Sequence, residues 1–85
     1  MKIAYTASFL KMLKGFDVDL QNEVIEKTEL FKDRKNHKSL SVHKLHGKFA
    51  GRYSFYINYK IRIVFEYVNK EEAMFMLVGS HDIYK

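Results

Sequence analysis

This 85-residue chain predicts an α+β fold: a helical pair packed on one face of a twisted, mainly antiparallel sheet. Three observations carry that reading. Apolar residues recur at helical spacing in the first third, strict alternation takes over from residue 52, and short polar turns separate the alternating runs. The element order is β-α-α-β-β-β-β, and the length suits a single domain over residues 1–85.

Lys2–Tyr5 is short and β-prone and opens the order as a first strand. Thr6 is placed to cap a helix carrying Phe9, Leu10 and Leu13, which Gly15 stops. Asp17 caps a second helix whose stripe is Leu20, Val24, Thr28 and Phe31, flanked by Ile25. Asp19 and Glu23 sit near its positive end and Lys32, Arg34 and Lys35 near its negative end, which favours the helix electrostatically. So short a break between the helices implies an αα-hairpin. Ser41–Leu45 is a plausible edge strand leading to Gly47. Arg52–Asn58 then alternates, with Tyr53, Phe55 and Ile57 on one face and Arg52, Ser54 and Tyr56 on the other. Asn58-Tyr59-Lys60 is a hairpin turn, after which Ile61, Ile63, Phe65 and Tyr67 oppose Arg62, Val64 and Glu66. A second turn, Asn69–Glu72, leads to the nearly all-apolar Ala73–Gly79, which reads as a central or doubly covered strand.

Lys and Arg number 15 against 10 Asp and Glu, a net charge of +5 that is very unevenly placed. Residues 32–62 hold nine Lys or Arg against Asp33 alone, a local +8, whereas residues 1–31 carry −1 and residues 63–85 carry −2. Basic residues interleaved with Tyr and His suggest a polyanionic partner, although the run 32–38 reads equally well as a solvated loop. With no Cys there is no disulfide framework, thiolate metal site or thiol nucleophile, which fits a reducing cytosol. Lysines interrupt the apolar residues at the start, so no signal-peptide core is read, and no apolar run approaches the ~20 residues that span a bilayer. A cytoplasmic protein without membrane contact is expected.

Phosphate-binding glycine loops, zinc-protease and serine-hydrolase motifs and calcium loops are all missing. His37, His43 and His46 have no Cys beside them, and a strand through His43 and His46 would send those two to opposite faces, so no metal is expected. The most informative stretch is Gly79–Lys85, GSHDIYK. There His81 suits proton transfer near neutral pH, Asp82 is placed to orient it, and Tyr84 suits stacking on a base or bonding to a phosphate.

From Lys44 the chain reads K-L-x-G, then G-R-Y-S at Gly51–Ser54, the run from Tyr59 to Phe65, and L-V-G-S-H-D-x-Y at Leu77–Tyr84. In this it resembles the RelE/ParE superfamily of type II toxins, especially the RelE, YoeB and YafQ branches. The resemblance implies a RelE-like fold and a ribosome-dependent mRNA endonuclease that inhibits translation. It would work without cofactor or metal, by attack of a 2′-OH on the adjacent phosphate, and be held silent in a hetero-oligomer with a cognate antitoxin. It further implies that Arg62 grips the phosphate, that His81 is the acid or charge stabiliser, and that Tyr84 is the C-terminal aromatic. Lys44-Leu45-His46-Gly47 contains no acid, so the base falls to His46; Lys44, Lys48, Arg52 and Lys60 are the RNA-binding cations. Plain alternatives stand beside these roles. Arg62 could pair with Glu66 on its own strand face, Tyr84 could be a packing aromatic, and Lys44 could guard a sheet edge. Two other functions share the pattern: a ParE-like gyrase poison, and an RNA- or ribosome-binding relative without catalysis.

Overall fold

The computed structural model describes residues 1–84; Lys85, the last residue of the tail motif, lies outside the described residues. β1 (Lys2–Tyr5) leads into α1 (Ala7–Lys14) and α2 (Val18–Phe31), followed by β2 (His43–Lys44), β3 (Tyr53–Tyr56), β4 (Arg62–Asn69) and β5 (Glu72–Gly79). The five strands form one sheet in the order β1-β5-β4-β3-β2, antiparallel throughout except that β1 runs parallel to β5. Fold class and element order are as the alternation and caps predict.

Both helix caps form where the sequence places them. Thr6 Oγ1 accepts from the Phe9 amide at 3.0 Å and donates to the Met76 carbonyl at 3.0 Å. Met76 sits at an irregularity of the β4–β5 ladder, where Val64 faces Leu77 but Phe65 faces Phe75, so one hydroxyl both caps α1 and occupies that carbonyl. Asp17 Oδ1 accepts from the Leu20 amide at 2.8 Å. Gly15 ends α1 with φ −76, so the stop uses no left-handed residue. Instead the Gln21 side-chain amide donates to the carbonyls of Leu13 (3.2 Å) and Phe16 (2.9 Å), tying the end of α1 to α2.

One side of the sheet is the core. Phe31, fully buried on α2, stacks on Phe55 with centroids 4.7 Å apart and meets Phe65 (4.9 Å) and Phe75 (5.3 Å) edge-on. Val24, Thr28 and Phe31 are buried while Ile25 is 55% exposed, so α2 turns its predicted stripe inward and leaves the flank outside. Phe9 of α1 joins through Phe75 at 5.6 Å. β5 is interior, between β1 and β4, as its apolar composition requires.

Strand ends differ from the sequence reading, β3 shortening from Arg52–Asn58 to Tyr53–Tyr56, and two of the differences have a clear local cause. The edge strand expected over Ser41–Leu45 contracts to His43–Lys44, because Ser41 takes φ +58 and turns the chain before the ladder begins. The Asn69–Glu72 turn tightens to Lys70-Glu71, since Asn69 pairs with Glu72 and Asn69 Oδ1 accepts from the Glu71 amide at 2.8 Å. The 58–60 turn holds as a hairpin, with Asn58 Oδ1 accepting from the amides of Lys60 and Ile61, both at 2.8 Å.

Replacing Phe31 by Ala removes the ring that three other phenylalanines pack against. The expected loss is about 3–5 kcal/mol, most of the stability of a domain this small. Urea unfolding followed by circular dichroism measures it; a loss below ~1 kcal/mol would mean the cluster collapses onto the vacancy.

Candidate active site on the open sheet face

Alternation that sends Phe55, Ile63 and Phe65 to the helices sends Ser54, Tyr56, Arg62 and Glu66 to the opposite face. The chain after β5 turns onto that face as a short 3-10 segment, His81–Tyr84. Gly79 permits this approach: a Cβ there would lie 2.6 Å from Ile83 Cγ2. Tyr84 Oη donates to Ser54 Oγ at 3.0 Å, and Ser54 is fully buried beneath it. Tyr84 is thereby both a packed aromatic and a wall of the site.

A cleft of about 310 Å³ opens between this tail and the segment after β2, lined by His43, Leu45, His46, Lys48, Phe49, Arg62 and Tyr84. Arg62 is held between two rings, its Cζ 5.0 Å from the Tyr56 centroid and 5.7 Å from that of Tyr84. Its Nε is buried and has no hydrogen-bond partner among the described residues. Glu66, the neighbour the sequence offers it, pairs instead with Arg52, Nε to Oε1 at 3.6 Å. The guanidinium therefore packs against aromatic faces and not against the carboxylate on its own strand.

The array continues in both directions. His43 stacks on Tyr56 (6.0 Å, 26°), and His81 meets Tyr84 edge-on (5.2 Å, 66°). Each of the two rings beside Arg62 thus carries one imidazole. His43 Nδ1 lies 2.7 Å from the Ser41 carbonyl. A carbonyl only accepts, so Nδ1 carries a proton, which leaves Nε2 as the acceptor in the neutral tautomer. The left-handed Ser41 is what aims that carbonyl at the ring.

Sequence reasoning missed His43. A continuous strand would have separated it from His46, but β2 ends at Lys44 and His46 begins a 3-10 turn, so both line one cleft. The signal was its pairing opposite Ser54, which sits on the open face. Among the expected site residues, Arg62, Tyr84, His46 and Lys48 line the cleft, and His81 stands against Tyr84. Arg52 shares the open face but is engaged by Glu66 and lies 5.9 Å from the Phe49 ring. Lys44 and Lys60 stand apart from these. Lys44 pairs with Tyr53 and so takes the helix-side register, and Lys60 is exposed in the β3–β4 turn; neither lines the cleft.

The basic run 32–38 also lies elsewhere. It packs by the β4–β5 turn, where Arg34 donates to the Lys70 carbonyl and covers the Tyr67 ring. That is the opposite end of β4 from Arg62, seven residues or about 23 Å along the strand. Lys32 pairs with Glu29 at 2.6 Å and Lys35 with Asp33 at 3.5 Å. The hydrogen bond that Lys32 donates to Glu29 raises the Lys32 pKa, and burial raises that of the Tyr67 phenol against the pull of Arg34. His37 stacks on Phe31 at 4.4 Å and bonds the Phe31 carbonyl, a structural role.

No family model and no curated protein matches the chain. Solved structures do. YafQ from E. coli superposes with a TM-score of 0.79 at 14% identity, covering 98% of this chain and 96% of that one. A copper-bound mutant toxin from Helicobacter pylori is 28% identical with a TM-score of 0.63, covering 100% and 99%. The YoeB–YefM complex from Staphylococcus aureus gives 0.75 at 16% identity, covering 95% and 97%. The architecture is that of the RelE/YoeB/YafQ toxins.

Gly79→Ala tests how the tail is held. The new methyl must displace Ile83, so amide resonances of 81–84 and of Ser54 should shift while those of Phe31 and Phe55 stay. Unmoved tail resonances would show that Ile83 gives way by itself.

Proposed function

We propose that this chain is the toxin of a toxin–antitoxin pair and acts as an endoribonuclease on mRNA at the ribosome. The observation that carries the reading is the series of contacts His43–Tyr56–Arg62–Tyr84–His81, a cation packed on two rings that each carry an imidazole. Phosphoryl transfer asks for a base at the attacking oxygen, positive charge at the phosphate and an acid at the leaving oxygen, roughly in line.

His43 Nε2 takes the 2′-OH proton, and the freed oxygen attacks the neighbouring phosphorus. The O2′–P bond forms as the P–O5′ bond breaks, leaving a 2′,3′-cyclic phosphate on one fragment. Arg62 holds the phosphoryl charge that builds up, and His81 gives its proton to the departing 5′-oxygen, producing a free 5′-OH. Each imidazole supplies ~10²–10⁴-fold as acid or base. Imidazoles and guanidinium provide every proton and charge in this route, so it needs no metal. The base is therefore reassigned from His46 to His43, whose tautomer is fixed; His46 and Lys48 serve as cleft-lining substrate contacts.

Silencing by a partner fits the same reading. YoeB is seen in complex with YefM, and the Helicobacter pylori chain is itself a toxin. Here the partner is an acidic helical antitoxin laid over the basic cleft, in a hetero-oligomer in the cytoplasm.

The test is induction of wild-type, Arg62→Ala, His43→Ala and His81→Ala chains, with primer extension on a reporter mRNA. Wild type should give cuts phased with the ribosome, and each variant should lower the cleavage rate by ~10²-fold or more. Growth arrest that survives all three substitutions with intact mRNA would sink the nuclease reading and favour a poison of another target, DNA gyrase included.

A further inference from the structure

We infer that Phe49 is a stacking platform for an unpaired nucleobase next to the scissile phosphate, so that the site takes single-stranded RNA and refuses a duplex. The inference rests on the nuclease reading above and adds a substrate requirement to it.

Phe49 ends a 3-10 turn, Gly47–Phe49, between β2 and β3 and is half-buried. Gly47 (φ +68) and Gly51 (φ +90) bracket the turn, and a Cβ at either would meet nothing within 4 Å. Those glycines serve the backbone path, not close packing. The loop is nevertheless preformed: the Leu45 amide donates to the Arg52 carbonyl at 2.8 Å, that of Ala50 to Gly47 at 3.0 Å and that of Arg52 to Phe49 at 3.0 Å. Phe49 is not among the residues of the core cluster, so core packing does not account for an aromatic here.

Its surroundings suit a nucleotide. Phe49 lines the same cleft as Arg62, and its ring stands nearly perpendicular to Tyr84 (5.6 Å, 79°). Lys48 Nζ lies 5.5 Å and Arg52 Cζ 5.9 Å from the ring centroid. A stacked base lies ~3.5 Å from a ring, so Lys48 sits within reach of a phosphate next to such a base, while Arg52 stays with Glu66. Ring for base and cations for backbone is the arrangement by which proteins hold single strands without reading sequence. A paired base is buried in its own stack and cannot offer that face.

The chain contains no Trp, so Phe49→Trp places a single fluorescent reporter at the platform. The probe is a ten-nucleotide 2′-O-methyl RNA, which cannot be cleaved because its 2′-oxygen is blocked, used alone and annealed to its complement. Single strand should quench the indole fluorescence of that variant at saturation and duplex should not. Phe49→Leu, which keeps the apolar bulk, and Phe49→Ala should both weaken single-strand binding about 5- to 150-fold, the range for losing one stacked base. Thermal melts confirm that the variants are folded. Wild-type affinity in the folded Leu variant, or a reporter unmoved at saturation, overturns the platform while leaving the nuclease reading in place. No binding of the single strand by wild type overturns the platform as well, while the nuclease reading stands or falls on the ribosome-phased cuts of the induction experiment.

Discussion

Phe31 lying flat on Phe55 is the contact on which the rest depends. It brings α2 onto the sheet and decides which face of β3 and β4 is covered. Once Phe55, Ile63, Phe65 and Phe75 are committed to that side, strand alternation leaves Tyr56 and Arg62 no choice but the other. The face that carries Arg62 is thus a consequence of the core. A one-residue slip of β4 would bury the arginine among phenylalanines, a cost no pairing there could offset.

The open face is not simply exposed. The tail returns to it through Gly79, and the Tyr84–Ser54 hydrogen bond fixes the last aromatic over Arg62. This gives a short chain a partly enclosed site without a third layer. It also explains how Arg62 can be half-buried, unpaired at Nε and still held: the rings of Tyr56 and Tyr84 fix its position without taking its charge.

Charge by composition and charge by place tell different stories. The +8 of residues 32–62 suggests one broad basic surface. In the fold it divides. The 32–35 end is tied to Glu29, Asp33 and the Lys70 carbonyl, while Lys48 and Arg62 stand in the cleft. Screened, locally paired cations at one end of β4 add little to affinity for a polyanion at the other.

By itself the sequence determined the secondary structure, the caps at Thr6 and Asp17, the antiparallel hairpins and the face that Arg62 occupies. Each depends on period, local hydrogen bonding or turn chemistry within a few residues. It also marked Arg62, His46, His81 and Tyr84, through motif resemblance. Only the tertiary structure decided that β2 stops at Lys44, which joins His43 to His46 in one cleft and leaves Lys44 outside it. It alone gave Glu66 to Arg52, fixed the His43 tautomer through a carbonyl aimed by a left-handed Ser41, and set Phe49 beside the arginine. These are contacts between segments, or exceptions to a period, and alternation carries no information about where a strand gives way to a turn or which far residue it then meets.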